Sequence, residues 1–415
     1  MAVTIQALRA LEILDSRGRP TLMTEVELSD GARASAQVPS GASTGRYEAC
    51  ELRDGDAGRY GGQGVLRAAA HVEGEIQEAV RGLEACDQQQ LDRRLIELDG
   101  TKRKERLGAN AILSVSCAVA RAAARSCGVE LWRHLAEVFG TEPVLPLPMI
   151  NIISGGLHGG RNIDFQDFLY VPLGAGSFAE AMERAVGMHG RVRAACEKRG
   201  YRLTGVADEG GWAPLLRSSA EALEILAGEL GGGDGIAVDV AATHFFQGGG
   251  YRLEGRVLTS GQMTELLTEW VERYPLVSIE DPLAEDDWEG WRELTRALGE
   301  RVQVVGDDLL TTNTARLRRG IAEGAANAVL VKMNQIGTLT ETFEALAVAR
   351  EAGWRAVISA RSGETEDAFL ADLAVASGAG QIKVGSVTRS ERLAKYNRLL
   401  EIERRRGLKM WRWAG

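Results

Sequence analysis

The stretch "RAVISARSG" (355–363) is a short hydrophobic run that ends in an arginine and a serine. Hydrophobic, β-branched residues bounded by glycine are typical of a buried strand. Helical stretches such as "TETFEALAVAREAG" (340–353) separate this run from others of its kind. The others are "GIAVDVA" (235–241), "PLVSIEDPL" (275–283), "VQVVGDDLL" (302–310), "NAVLVKMNQ" (327–335) and "GQIKVGSV" (380–387). This alternation predicts parallel strands with crossover helices, arranged as a barrel or a doubly wound sheet.

Nearly every run carries a charged residue at or just past its C-terminal end. These residues are Asp239, Glu280, Asp307, Lys332, Arg361 and Lys383. Glu280 and Asp307 are 27 residues apart and Asp307 and Lys332 are 25 apart, which suits a strand, a helix and two short loops. A single charge at a strand end is usually only solvated. Charges in successive units are predicted to converge, because the C-terminal ends of parallel barrel strands share one face, where active sites lie.

The chemistry of this set follows from its charges. Three converging carboxylates repel one another and raise one another's pKa, and a divalent metal relieves the repulsion. Oxygen ligands favour a hard ion, magnesium above zinc. A partly desolvated lysine beside the metal can lose its proton and act as a base, and Arg361 suits a phosphate. The set therefore predicts removal of a proton next to a carboxylate, with the metal stabilising the enolate.

Composition excludes several classes of partner and location. The net charge of −9 argues against a nucleic acid or an anionic membrane surface as partner. The five cysteines are scattered and have neither metal-ligand nor disulfide-framework spacing, which is typical of a reduced, cytoplasmic protein. The first residues, "MAVTIQALRALEIL" (1–14), lack the apolar centre of a signal peptide. No apolar run approaches the roughly 18 residues of a membrane helix.

The first third of the chain has a different pattern. Residues 1–30 alternate as strands do, and residues 64–137 have a helical pattern. A proline cluster, "EPVLPLP" (142–148), marks a linker or the entry to a second domain. Strands followed by helices predict an α+β unit ahead of the strand–helix repeats.

Motifs over almost the whole chain resemble those of the enolase family. They are "SGASTG" (40–45), "ELRDGD" (51–56), "GANAIL" (108–113), "DEGG" (208–211), "SIEDPLAEDDW" (278–288), "GDDL" (306–309), "NQIGTLTET" (334–342) and "RSGETED" (361–367). The resemblance implies an α/β fold: an α+β N-terminal cap domain over residues 1–138 and an enolase-type, TIM-like α/β barrel over residues 139–415. It also implies dehydration of 2-phosphoglycerate to phosphoenolpyruvate, by a homodimer or an octamer of dimers.

The resemblance implies two magnesium ions. The ligands of the first would be Asp239, Glu280 and Asp307. Ser43, in the "SGASTG" loop, would reach the second ion, which arrives with the substrate when the loop closes. Lys332 resembles the base that removes the proton α to the substrate carboxylate.

Further residues resemble those that hold the substrate, a small phosphorylated or phosphonylated hydroxy acid. Glu209 resembles the acid that assists departure of the C3 hydroxyl, and Asp167 is implied to be catalytic beside it. Arg361 and Ser362 resemble a phosphate clamp, and Lys383 resembles the lysine that holds the carboxylate. The full set of implied substrate-binding residues is His158, Gln166, Arg361, Ser362 and Lys383.

Several positions near this chemistry depart from the family pattern. Ala360 stands where enolases have a histidine, and Asp167 stands where they have a glutamate. The shorter aspartate withdraws its carboxylate by about 1.5 Å, a displacement that can cost on the order of a hundredfold in rate. The metal ligands, the base and the phosphate clamp are kept, so the differences surround the leaving group. The other departures are Ser154, Ala207, His244, Val384 and a short C-terminal tail.

These departures favour a specialised paralogue, similar to the carboxyphosphonoenolpyruvate synthase of phosphonate antibiotic biosynthesis. A bulkier phosphorus group would use the space beside Ala360. The alternatives are a glycolytic enolase and a catalytically silent, enolase-like binding protein. Turnover of 2-phosphoglycerate distinguishes the first alternative, and exchange of the substrate α-proton with solvent excludes the second.

Overall fold

The computed structural model describes residues 2–42 and 44–413 of the protein. The chain begins with an antiparallel sheet of β1 (Ile5–Leu14), β2 (Pro20–Leu28) and β3 (Arg33–Gln37). Gly18, in the turn between β1 and β2, has a φ of 68°, a conformation that glycine adopts at little cost. The strand-like alternation of residues 1–30 is confirmed.

Helices follow this sheet. They are α1 (Leu66–His71), α2 (Gln77–Val80), α3 (Gln88–Asp99), α4 (Ala109–Ser126) and α5 (Leu131–Phe139). α4 is buried along nearly its whole length and packs on β2 and β3, because its small side chains allow close approach. The helical pattern of residues 64–137 is confirmed except at residues 64–65 and at three connections, residues 81–87, 100–108 and 127–130.

The remaining strands lie between residues 147 and 385. They are β4 (Leu147–Ser154), β5 (Asp167–Val171), β6 (Gly235–Asp239), β7 (Phe246–Gln247), β8 (Gly250–Leu253), β9 (Arg256–Leu258), β10 (Leu276–Glu280), β11 (Gln303–Gly306), β12 (Ala328–Val331), β13 (Arg355–Ser359) and β14 (Gln381–Gly385). Within this range, eight strands close into a barrel in the order β10-β11-β12-β13-β14-β4-β5-β6. β7, β8 and β9 form a small separate sheet. Of the two arrangements that the sequence left open, the barrel is confirmed.

The barrel is not parallel throughout. β5 runs antiparallel to both of its neighbours, β4 and β6. The six runs for which the sequence predicts parallel strands are β6 and β10–β14, which pair in parallel. The physical reason for the reversed direction of β5 is the connection: residues 155–166 join β4 to β5 without a helix. Strands of a parallel pair are usually joined by a helical crossover, whereas an antiparallel pair needs no helix between its strands.

Helices surround the barrel between its strands. They are α6 (Phe178–Lys198), α7 (Ser219–Gly228), α8 (Ser260–Arg273), α9 (Trp288–Leu298), α10 (Thr314–Glu323), α11 (Met333–Ile336), α12 (Leu339–Glu351), α13 (Phe369–Ser377) and α14 (Ser390–Arg406). α12 occupies the stretch 340–353 that the sequence marks as helical. Thr338 caps it, its side chain accepting a hydrogen bond from the Glu341 backbone N–H.

The segment 361–367, just after β13, is held by the N-terminal region. Ser40 and Gly363 exchange two backbone hydrogen bonds of 2.9 Å. The Ser16 backbone N–H donates to the Glu364 carbonyl at 2.7 Å. Arg121 of α4 forms a two-pronged ion pair with Asp367. The sheet-and-helix unit is therefore joined to the barrel at the end of β13.

Two sequence expectations concern membranes and disulfides. Among the described residues no single helix is long and apolar enough to cross a membrane. One pair of helices, α4 and α5, is together long and apolar enough, but the two helices are bent by 105° relative to each other. All five cysteines are free thiols, although Cys86 and Cys127 bring their sulfur atoms to 3.7 Å.

Candidate active site

A small cavity at the C-terminal end of the barrel strands brings most of the predicted site residues together. Its volume is about 20 Å³, enough for about one water molecule. Its lining includes His158, Gln166, Glu209, Asp239, Lys332, Arg361, Ser362 and Lys383, with Ser359, Ala360 and Val384. The convergence that the spacing predicted is therefore present in the structure.

Strand order explains how the acidic residues meet. Asp239 and Glu280 are the last residues of β6 and β10, which are neighbours, and the two residues are register partners. Asp307 directly follows β11, the next strand, and Lys332 directly follows β12. Lys383 differs from the expectation, because it lies in the middle of β14 rather than at its end.

Buried lysines pair with the buried carboxylates. The ammonium group of Lys383 lies 2.8 Å from Asp239 Oδ2 and 2.7 Å from Glu280 Oε2. Lys332 Nζ donates a hydrogen bond to Asp307 Oδ2. All five side chains are buried or nearly so. The two ammonium groups thus offset the three carboxylates only in part and leave one negative charge in this group.

These ion pairs determine the protonation of both lysines. Burial alone would lower the pKa of Lys332, but the Asp307 carboxylate raises it above its ordinary value. Burial would also lower the pKa of Lys383, but Asp239 and Glu280 raise it well above its ordinary value. The expected loss of a proton from desolvated Lys332 is therefore opposed by Asp307 in this arrangement.

The donor set fits a hard divalent cation. Burial and the Asp239 carboxylate raise the pKa of Glu280 well above its ordinary value, so added positive charge would be favourable there. Gln166 Nε2 donates to Asp239 Oδ2 at 3.1 Å, while Gln166 Oε1 is buried and has no hydrogen-bond partner among the residues that the structure describes. Oxygen donors of this kind suit magnesium.

The three predicted first-ion ligands do not by themselves form the tightest acidic cluster. Among the described residues, ligand atoms within 4.8 Å of one another occur in two groups, of which one is Asp281, Asp307 and Asp308. Instead, Lys383 contacts both Asp239 and Glu280, and Lys332 contacts Asp307. Asp281 and Asp308 were missed by sequence reasoning, although each directly follows a predicted ligand in "SIEDPL" and "GDDL". Asp281 accepts hydrogen bonds from the backbone N–H groups of Asp307 and Asp308.

The second group of this kind is His158, Asp167 and Glu209. His158 Nδ1 lies 2.8 Å from Asp167 Oδ2, and its Nε2 lies 3.8 Å from Glu209 Oε1. Burial alone would lower the pKa of His158, but the Asp167 and Glu209 carboxylates raise it to about 9. Asp167, predicted to be catalytic, is not among the residues that line the cavity and instead contacts His158 and Asn151.

The predicted phosphate clamp is held from the N-terminal region. Arg361 donates to both carboxylate oxygens of Glu48, at 2.9 and 3.2 Å, and to Asn334 Oδ1 at 2.9 Å. Ser362 Oγ accepts from the Ala42 backbone N–H at 2.8 Å and from Arg17 Nη1 at 3.2 Å. Glu48 was missed, and no signal in the sequence connects it to a residue 313 positions away. Ser43, expected at the second ion, lies outside the described residues.

The space expected beside Ala360 is not open. Ala360 is buried, its backbone N–H donates to the Lys383 carbonyl at 2.9 Å, and the cavity that it lines holds about 20 Å³. The size argument for a bulkier substrate therefore finds no support in the structure.

Comparison with known proteins agrees with this geometry. The model "Enolase, N-terminal domain" matches residues 5–135, and "Enolase, C-terminal TIM barrel domain" matches residues 142–414. The chain belongs to the enolase family. Two similar curated proteins are "Enolase 1" of Methylococcus capsulatus and "Enolase" of Acidothermus cellulolyticus. Each is 53% identical to this chain over 97% of its length, covering 97% and 94% of the relatives' lengths.

Membership of the enolase family fixes the class of reaction. The protein is an enolase-type carbon–oxygen lyase, and the reaction of this family depends on magnesium. Both similar proteins carry the plain name enolase. The specialised phosphonate interpretation is therefore unsupported, and the alternative, a glycolytic enolase, fits better.

Proposed function

We propose that this protein is a glycolytic-type enolase, which converts 2-phosphoglycerate to phosphoenolpyruvate and water. The observation that carries this proposal is the 53% identity to enolases over nearly the full length of the chain. The convergence of buried carboxylates, lysines and an arginine on one cavity supports it. The substrate class is then a small phosphorylated hydroxy acid.

Asp239, Glu280 and Asp307 would hold the first magnesium ion, and Ser43 a second that arrives with the substrate. The bound ions supply positive charge that offsets these carboxylates and stabilises the charge developing on the substrate carboxylate. The fit rests on the oxygen donors of adjacent strand ends and on the unpartnered Gln166 oxygen.

Lys332 removes the proton from C2, and the C2–H electron pair passes into the substrate carboxylate to give an enolate; it forms the C2=C3 bond when the C3 hydroxyl leaves. For this step its amine must be free of its proton, so the charge of Asp307, which raises the pKa of Lys332, has to be offset. Lys383, already positioned by Asp239 and Glu280, has the permanent positive charge that binds the substrate carboxylate. Lys332 is therefore the base, and Lys383 binds the substrate carboxylate.

The C3 hydroxyl leaves as water and needs a proton. Burial alone would raise the pKa of Glu209, but the His158 imidazolium lowers it, so the proton of this pair rests on His158. The 3.8 Å between His158 Nε2 and Glu209 Oε1 allows transfer after a small approach. The pair thus supplies one proton to the leaving hydroxyl as the C3–O bond breaks and the double bond forms.

Arg361 and Ser362 bind the phosphate. The guanidinium lines the cavity and is held by Glu48 and Asn334, and its positive charge suits a phosphate. Ser362 Oγ lies between Arg17 and the loop at Ala42, so closure of that loop and phosphate binding share one hydroxyl.

The remaining expectations extend this proposal. The enzyme would work in the cytoplasm as a homodimer or an octamer of dimers, with a cap of residues 1–138 and a barrel of residues 139–415. Light scattering of the purified protein tests the assembly. A monomeric, fully active protein would contradict it.

The decisive test is turnover by the purified full-length protein. With magnesium and 2-phosphoglycerate, absorbance of the enol product is expected to rise at a rate typical of enzymes, about 1–1000 s⁻¹. The matched measurement is exchange of the substrate C2 proton in deuterated water. Exchange without dehydration would return the specialised interpretation, and absence of both would indicate a binding protein.

A further inference from the structure

Asn151 and Ser154 lie behind the His158–Asp167 pair, at the end of β4. Both side chains and that of Asp167 are completely buried, with 0% exposure. None of the three lines the cavity that holds the proposed substrate-binding residues. The register of β4 and β5 makes Ser154 and Asp167 cross-strand partners, so the fold itself brings these two positions together.

One amide group joins these two positions. Asn151 Nδ2 donates to Ser154 Oγ at 3.0 Å and also to Asp167 Oδ1. The other oxygen of Asp167 faces His158 Nδ1 at 2.8 Å. A continuous chain of hydrogen bonds therefore runs from Ser154 through the Asn151 amide and the Asp167 carboxylate to the imidazole.

The amide has little freedom to take another orientation. Rotating it by 180° would turn Asn151 Oδ1 toward the Asp167 carboxylate, which is electrostatically unfavourable. The space is also full, because a Cβ on Gly211 would lie 2.8 Å from both Asn151 Oδ1 and Ser154 Oγ. Ser154 accepts the second hydrogen of the amide, so both hydrogens are used, while Asn151 Oδ1 has no hydrogen-bond partner among the described residues.

We propose that Ser154 and Asn151 are positioning residues for His158. Ser154 holds the Asn151 amide, the amide holds one oxygen of Asp167, and the other oxygen holds the imidazole with Nε2 toward Glu209. Asp167 belongs to the same series and acts through His158 rather than on the substrate. The kinetic test of this inference rests on the proposed function, whereas a test of the position of His158 does not.

Ser154→Ala removes the acceptor with a minimal change of volume. The kcat for 2-phosphoglycerate is expected to fall about fivefold, the effect of one ordinary hydrogen bond, with KM unchanged. Asp167→Asn is expected to reduce kcat further. The double variant is expected to equal Asp167→Asn alone, because Ser154 acts only through Asp167. Effects that multiply in the double variant would overturn the proposal.

The control is Ser114→Ala in α4, another fully buried serine, which hydrogen-bonds Thr24 at 2.7 Å. It is expected to leave kcat unchanged. A readout independent of activity is the ¹⁵N NMR signal of the His158 ring, which is expected to shift in Ser154→Ala and not in Ser114→Ala. An unshifted signal in Ser154→Ala would refute the positioning role. If the unaltered protein does not turn over 2-phosphoglycerate, the proposed function fails and the NMR comparison decides this inference alone.

Discussion

Glu48→Gln tests the support of the phosphate clamp. Glu48 meets Arg361 with both carboxylate oxygens, and the two side chains are only 7% and 2% exposed. Glutamine has nearly the same shape and keeps an oxygen to accept from the Gly45 backbone N–H, which lies 2.8 Å from Glu48. The substitution therefore removes a charge from a buried pair with little change in packing.

The magnitude follows from burial and chain length. Breaking a buried ion pair costs about 3–5 kcal/mol. The lower end applies, since Arg361 keeps its hydrogen bond to Asn334 at 2.9 Å. An unfolding entropy of about 2.1 cal/mol/K per residue gives about 0.9 kcal/mol/K for the whole chain. The midpoint of thermal unfolding, Tm, is then expected to fall by about 3 °C.

Circular dichroism at a fixed heating rate measures this change. The matched control is Glu197→Gln, whose partner Arg193 lies 2.9 Å away in an exposed ion pair. Its cost of about 0.3–0.5 kcal/mol corresponds to about 0.5 °C. Added inorganic phosphate is expected to reduce the fall in Tm of Glu48→Gln, because the anion can pair with Arg361. Equal Tm values for the two variants would refute the reasoning.

Four further outcomes are expected. Lys332→Ala abolishes exchange of the substrate C2 proton in deuterated water; unchanged exchange would remove Lys332 as the base. A chelator abolishes turnover and magnesium restores it, whereas activity that survives chelation would contradict the assignment of the carboxylate site. Ala360→His lowers turnover of 2-phosphoglycerate, because the adjacent cavity holds only about 20 Å³; a rise would favour the specialised interpretation. Burial opposes but Asp167 and Glu209 raise the pKa of His158 to about 9, so its stabilising charge is fully present below about pH 6.5 and is lost as the pH rises through 9. In urea unfolding, Asp167→Asn should therefore lose less stability than the unaltered protein between pH 6.5 and 9.5.

The sequence predicts the barrel and its charged face because both follow from local rules. Hydrophobic runs separated by helices of regular length define the strands, and strand ends such as Glu280 share one face in any parallel arrangement. Closure into a barrel is different, since a doubly wound sheet has the same alternation. The reversed direction of β5 also escapes prediction, because neither β4 nor β5 is among the hydrophobic runs that the sequence marks as strands.

Within the site, residue types were easier to predict than their pairings. Asp307 and Lys332 follow successive strands, so their approach could be expected, but the resulting rise in the pKa of Lys332 depends on side-chain geometry. The pairing of Glu48 with Arg361 joins residues 313 positions apart and has no local signature. The shielding of Asp167 behind His158 likewise depends on packing that periodicity does not encode.

The attachment of residues 361–367 to the N-terminal region has a consequence for folding. Its hydrogen bonds and ion pair join residues separated by between 246 and 348 positions. Contacts this distant in sequence form only after a large loss of chain entropy, which slows folding. The segment that carries the phosphate clamp is thus expected to be fixed late in folding, after the N-terminal region that holds it has formed. A fragment that begins after α5 would contain the strands of the barrel but not the N-terminal surface to which residues 361–367 bind.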